Sequence, residues 1–280
     1  MTILRTFHRI TAALACSLVA AGALGQAKPV ADKLYEPTVG QSGKDVVWVP
    51  TPQALVDKML EIAKATPADI LIDLGSGDGR TVITAAKRGI KAHGIEYNPD
   101  MVTLSQRAAA AAGVTDKATF AKADLFESDF SQATVITMFL LPDINLRLRP
   151  KILDLKPGTR IVSNTFTMGE WHADDQATAS DEGSSYYRTA LLWIVPAKVE
   201  GTWRTAQGEV VLKQEFQIVS GTLKNGTVWA PISNGRLRGE QFTFTAGGAE
   251  YTGRVSGGRI EGTMTAKGAA SPWSATRVGN

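Results

Sequence analysis

The residues of this 280-residue chain best placed to do chemistry are acids and glycines. Asp73-Leu74-Gly75-Ser76-Gly77-Asp78-Gly79-Arg80 follows a short apolar run, Ile70 to Leu74, and opens a stretch with helical spacing. A glycine turn between a strand and a helix lets the backbone approach a ligand closely, above a helix N-terminus. Glu96 ends the next apolar run, about 20 residues further on, the separation at which a carboxylate grips ribose hydroxyls in nucleotide-binding sheets. Asp124 ends a third run, where a carboxylate can accept from an exocyclic adenine amine. Acids at the carboxyl ends of successive parallel strands face the crevice where open sheets bind ligands. Singly, Asp73 and Asp124 could cap helices and Glu96 could be a solvated loop acid. Asp78, within the loop, would repel a pyrophosphate and suits a ligand with a cationic amino-acid end.

The elements that must position these acids are legible as alternating strands and helices from about Ile70 to Ser163, the pattern of a parallel sheet with crossover helices. Strands are expected at Ile70 to Leu74, Lys91 to Glu96, Thr119 to Ala123, Val135 to Leu141 and Arg160 to Ser163. One helix runs from Thr81 to Arg88, and another from Met101 to Ala112 is opened by Pro99 and stopped by Gly113. Upstream, Leu55, Val56, Met59, Leu60 and Ile62 mark one face of a helix capped by Thr51. Between Trp171 and Pro196 two extended stretches around Asp181-Glu182-Gly183 read as an antiparallel hairpin closing the sheet. After about Ala197 glycines recur every few residues among short alternating strands, which fits a small up-and-down barrel or a curled sheet. The organisation is therefore α/β for residues 28–196, a Rossmann-like sheet with a C-terminal antiparallel hairpin, and all-β for residues 197–280.

Asp73 to Arg80, Gly94-Ile95-Glu96-Tyr97-Asn98-Pro99 and Ala123-Asp124-Leu125-Phe126 resemble class I S-adenosylmethionine-dependent methyltransferases. With Val49-Pro50-Thr51-Pro52 upstream and Val135 to Pro142 downstream, the resemblance narrows to the mitochondrial lysine methyltransferases acting on an ATP synthase subunit and on the adenine nucleotide translocase, with their bacterial relatives. It implies S-adenosyl-L-methionine as cofactor, with Asp73, Gly75 and Gly77 holding its methionine end and Ser76, Asp78 and Gly79 of the same loop also counted as cofactor-binding. Glu96 would then meet the ribose, Asp124 and Leu125 the adenine, Tyr97 would be a further cofactor contact, and Thr51 would lie beside the cofactor. Phe139, Leu140, Leu141 and Pro142 would face the transferred methyl group, joined by Trp48, Phe166 and Trp171 in an apolar rim that could equally be sheet-edge packing. No residue is singled out as a catalytic base. The implied activity is N-methylation, of a protein lysine before other acceptors; the chain lacks the Asn/Asp-Pro-Pro-aromatic motif of the adenine and glutamine enzymes.

Residues 1–27 read as a targeting segment: Arg5 and Arg9, an apolar run from Ile10 to Leu24, then Gly25-Gln26-Ala27 with cleavage expected after Ala27. Export, to a periplasm, is the expectation; a mitochondrial address is the alternative, and membrane contact is expected only through this segment. The single cysteine, Cys16, falls inside it, so neither a disulfide nor a cysteine nucleophile is expected in the processed chain. His93 and His172 are the only histidines beyond the leader, so no metal site is expected. A formal charge of +3, most of it in the leader, gives no reason to expect a nucleic-acid partner. Asp174-Asp175 reads as a solvated loop, and Trp203, Trp229 and Trp273 as filling for the barrel. An exported chain meets a cofactor made in the cytoplasm, which keeps a second reading open: an envelope binding protein whose nucleoside fold is not catalytic and whose β domain holds the ligand. An NAD-dependent oxidoreductase is a third.

Overall fold

Parallel pairing organises the N-terminal half of the computed structural model, which describes residues 34–180 and 186–279. The leader, Cys16 and the Asp181-Glu182-Gly183 turn lie outside the described residues. Strands β1 (Ile70–Leu74), β2 (Lys91–Glu96), β3 (Ala118–Lys122), β4 (Val135–Met138) and β5 (Arg160–Asn164) run parallel. They are followed by β6 (Asp175–Thr178) and β7 (Thr189–Ile194), which pair antiparallel, and the order across the sheet is β3-β2-β1-β4-β5-β7-β6. The strand order reverses at β1, between β2 and β4, and that reversal opens the crevice.

Helices α1 (Gln53–Ile62), α2 (Arg80–Lys87) and α3 (Pro99–Ala111) cover the sheet with small and branched side chains. Asn98 caps α3 by accepting from the Asp100 amide, and Pro99 sits where its missing N–H is not needed. Helix α1 departs from expectation at its start: Pro52 occupies the N-cap without a side-chain bond. Thr51 instead turns inward and accepts from Asn164 Nδ2 at 3.3 Å. Strand β4 also ends earlier than expected: its pairing stops at Met138, opposite Leu74 and Ser163. The chain then enters α4 (Pro142–Leu153), a helix the sequence reading did not anticipate. Prolines at its first turn and at Pro150 disguise a buried face of Ile144, Leu148 and Ile152.

From β8 onward the chain closes into an eight-stranded antiparallel barrel. Its strands are β8 (Gly201–Thr205), β9 (Gly208–Glu215), β10 (Ile218–Asn225), β11 (Val228–Arg238), β12 (Gln241–Ala246), β13 (Ala249–Ser256), β14 (Arg259–Ala266) and β15 (Ala269–Arg277). Trp203, Phe242, Phe244, Tyr251 and Trp273 fill its interior, with Phe244 stacked on Tyr251 at 4.5 Å. Trp229 is the exception: it lies half-exposed beneath Lys224.

Barrel and sheet form one compact unit, and specific side chains join them. Trp171 is fully buried, stacked on Phe216 from the β9–β10 turn at 6.0 Å, and its carbonyl accepts from Trp193. It packs the interface between sheet and barrel and so does not belong to the expected rim of the crevice. Asp174, expected in a solvated loop, has a side chain with no exposed surface; it accepts from Arg236 at 2.6 Å and from the Ile194 amide at 2.9 Å. A buried carboxylate that loses one partner is left with an unpaired lone-pair site in low dielectric. Arg236 is itself partly exposed, so we expect Arg236→Ala to lower stability by about 1–3 kcal/mol. In a domain of this size that is a drop of roughly 2–12 °C. Thermal unfolding checks it, and an unchanged midpoint would mean the barrel is held without this pair.

Candidate active site

The glycine loop between β1 and α2 is built by its own hydrogen bonds. The amides of Gly75 and Ser76 both donate to the Ile95 carbonyl, that of Gly77 donates to Glu96 Oε2 at 2.9 Å, and that of Gly79 to the Ser76 carbonyl. Gly75, Gly77 and Gly79 all have positive φ, a conformation side chains resist. A Cβ at Gly77 would lie 2.7 Å from the Trp48 indole nitrogen, and one at Gly79 would lie 2.8 Å from Phe120 and Ser105. Gly75, Ser76, Gly77 and Asp78 line the crevice, whereas Gly79 does not; its requirement is the packing of α2 against β3.

This wiring decides what the loop can hold. A pyrophosphate cradle needs free backbone amides aimed at the ligand. Here the amides of Gly75, Ser76, Gly77 and Gly79 are already committed. Asp78, expected to repel phosphate, carries a different load: Arg80 grips both its oxygens, at 2.6 Å for the closest, while donating to the Thr51 carbonyl. The loop itself is therefore the stronger argument against a phosphate ligand. Asp73 has no cation among the described residues; it is buried in the crevice and accepts from the Thr137 hydroxyl at 2.6 Å. Burial, opposed by that hydroxyl and reinforced by the charges of Asp78 and Glu96, pushes its carboxyl up to about 7. A cationic amino-acid group set against it would draw it back into the ionised form.

Glu96 stands at the end of β2 with both oxygens engaged, Oε2 by Gly77 and Oε1 by the Asn98 amide at 2.9 Å. A carboxylate has about four lone-pair sites, so two remain for a ribose diol. Tyr97, Asp124 and Leu125 line the same side, continuing the crevice toward the end of β3. Asp124 accepts from the Phe126 amide at 2.9 Å and from Lys44, a contact that, with the amide, holds its carboxyl below the usual range. Lys44 also lies 4.7 Å above the Tyr97 ring. It belongs to a strap, Gln41 to Thr51, pinned by the Ser42 and Val47 bridge and carrying Trp48 to the glycine loop. The sequence reading named Trp48 and Thr51 but missed Lys44, which meets Asp124 only through the fold, 80 residues away.

At the other end, Met138, Phe139, Leu140, Leu141, Ile144 and Phe166 line the crevice, and Tyr187 joins them from just before β7. Pro142 does not line it; it opens α4. Phe166 is aimed by an unusual turn: Thr165 has φ 63°, and the Phe166 amide donates to the Asn164 carbonyl at 2.7 Å. A β-branched residue at positive φ costs roughly 1–3 kcal/mol unless its surroundings enforce it. Asn145 on α4 enforces it, donating to the carbonyls of Phe166 and Thr167. The crevice thus offers an uncompensated acid, a diol-binding carboxylate, a second acid beyond it and an apolar aromatic mouth. That donor set fits S-adenosylmethionine from its ammonium end to its adenine.

Known proteins point the same way. The model of the ANTKMT methyltransferase domain matches residues 73–175, wholly within the sheet half of the chain. A protein-lysine N-methyltransferase of Saccharolobus islandicus (strain REY15A) is 42% identical over 153 residues, 54% of this chain and 94% of that protein. The adenine nucleotide translocase lysine N-methyltransferase of Mus musculus is 30% identical over 141 residues, 50% of this chain and 57% of that protein. Among solved structures, an RNA methyltransferase from Salinibacter ruber in complex with S-adenosyl-L-homocysteine is 45% identical with a TM-score of 0.50, covering 54% of this chain and 96% of that one.

Proposed function

This chain belongs to the family of S-adenosylmethionine-dependent methyltransferases defined by the ANTKMT methyltransferase domain, and from that membership we propose that it methylates the side-chain amine of a protein lysine. It is an enzyme with methyltransferase activity, and S-adenosylmethionine is its cofactor. The observation that carries the lysine reading is the 42% identity extending over 94% of a protein-lysine enzyme.

Bound in the crevice, the cofactor supplies an electrophilic methyl on its sulfonium. Asp73 would orient the ammonium end, and Glu96 the ribose, so that the methyl faces the mouth at Phe139 and Leu140. Alignment alone can supply much of the acceleration of such a displacement, with effective molarities on the order of 10⁵–10⁸ M. A lysine with a reference pKa near 10.4 must first shed its proton to solvent, costing about 4.6 kcal/mol at pH 7. Approach to the cofactor's sulfonium lowers that cost, because a neighbouring positive charge disfavours the charged form of the amine. The neutral nitrogen would then take the methyl carbon as its bond to sulfur breaks, the electron pair staying on sulfur as the neutral thioether of S-adenosylhomocysteine, and the product would leave as a methylated ammonium.

Read with residues 1–27 as a leader, the proposal places the enzyme in the periplasm and its acceptor in the envelope. Incubated with methyl-labelled cofactor and an envelope extract, the enzyme is expected to label material that protease removes and ribonuclease does not. Label that ribonuclease removes would instead assign it an RNA acceptor, the class named for the Salinibacter ruber protein. N-terminal sequencing of enzyme recovered from the periplasm should begin at Lys28; an intact Met1 would refute the leader.

A further inference from the structure

We infer that Phe139, Phe166 and Tyr187 form an aromatic collar that receives the acceptor as an alkylammonium, its stem and cationic head laid against the ring faces. The collar's substrate class rests on the lysine reading, but its geometry stands on separate observations. Three chain segments that are distant in sequence converge: Phe139 where the chain leaves β4, Phe166 where it leaves β5, and Tyr187 where it approaches β7. Their ring centroids lie 5.9 Å (Phe139 to Phe166), 5.0 Å (Phe139 to Tyr187) and 5.9 Å (Phe166 to Tyr187) apart. All three line the crevice, and none of them is fully buried.

The collar is also held in place by strain. Phe166 reaches it through Thr165 at φ 63°, a turn that Asn145 clamps from α4. A backbone outlier of this kind persists where the surrounding structure over-determines it, as at ligand clamps.

Ring orientation selects the class of guest. A planar base sandwiched between two rings needs about 7 Å between their planes, two contact distances. Phe139 and Phe166 are nearly parallel, at 20°, but touch each other, and Tyr187 is inclined at 64° and 55° to them. Rings in contact leave no slot for a base between them, and faces that line the crevice without enclosing a guest suit a slender chain. The negative ring faces favour a cation at its end.

The test uses the full chain saturated with S-adenosylhomocysteine, probed with n-butylammonium and its neutral counterpart 1-butanol by saturation-transfer NMR. Butylammonium should bind several-fold more tightly than 1-butanol, a difference of about 2–30-fold. Phe166→Leu and Tyr187→Leu should each remove most of that preference, Phe166→Tyr should retain it, and none should change S-adenosylhomocysteine affinity more than about twofold. Equal binding of the two probes, or Leu variants that hold butylammonium like the parent, overturns the collar. Methyl transfer to a lysine-rich peptide, measured in parallel, separates this inference from the lysine reading. An unmethylated peptide with collar-dependent ammonium binding removes the lysine reading and leaves the collar. A methylated peptide whose KM ignores the Leu variants, with no ammonium preference, removes the collar and leaves the lysine reading.

Discussion

Glu96→Gln loses S-adenosylhomocysteine affinity almost as completely as Glu96→Ala, by roughly 10²–10³-fold in each case, although the glutamine has the same shape. The reason is the wiring of the carboxylate. Each oxygen already accepts a backbone N–H, from Gly77 on one side and Asn98 on the other. An amide would set its NH₂ against one of those donors, so the glycine loop or the start of α3 must shift. Two charge-assisted bonds to the ribose are lost as well, each worth about 1.5–3 kcal/mol. Together the two bonds come to about 3–6 kcal/mol, and the expected factor takes the lower part of that range because water replaces part of the lost bonding. Isothermal titration of folded variants decides it. A loss of less than tenfold in either would mean that Glu96 organises the loop without touching the ligand.

The second large effect is one of pH. Asp73, pushed up to about 7 by burial, binds a proton in the folded, ligand-free enzyme at pH values where the unfolded chain, with a carboxyl near 3.9, does not. The folded state therefore binds more protons between about pH 4 and 7, and stability falls as pH rises through that window. Above pH 7 the penalty is fully developed. Asp73→Asn keeps an acceptor for the Thr137 hydroxyl and removes the charge, so the ligand-free variant should gain on the order of 2–4 kcal/mol at pH 8 and almost nothing at pH 4. That corresponds to roughly 4–16 °C in the unfolding midpoint. Cofactor affinity should move the other way. The ammonium assigned to this carboxylate favours its ionised form, so parent affinity should rise with pH up to about 7, with proton release on binding. The Asn variant should bind more weakly with a flat profile. Equal midpoints for parent and variant at pH 8 would show that Asp73 carries no penalty.

What could be read from the sequence follows the range of the interactions involved. The β1 strand, its glycine turn and Glu96 are local or nearly so, and each leaves a mark in spacing: an apolar run, a turn residue, an acid at a fixed offset. The barrel was legible for a similar reason, since alternation and a glycine at most hairpin turns repeat along its strands. Helix α4 was missed because Pro142 and Pro150 look like breaks, while the face they interrupt is visible only against the sheet. Trp171 shows the limit of residue type as evidence: an indole suits a rim or a core, and Phe216, 45 positions later, made it core. Asp174 looks solvated for want of Arg236, 62 residues away, and Asp78 looks like a free charge that Arg80, two residues on, in fact engages. Lys44 and Tyr187 had no periodic or motif signal; the strap brings the first to Asp124, and the segment leading into β7 brings the second to Phe139 and Phe166.

The central claim is that this crevice delivers a methyl group to a lysine side chain. Its most direct test is acid hydrolysis of the protein labelled by the parent enzyme with methyl-labelled S-adenosylmethionine, followed by amino-acid analysis. The label is expected to elute with Nε-methylated lysines and to disappear from reactions run with Glu96→Ala. Label recovered in another amino acid, or in nucleotides with none in lysine, would contradict it.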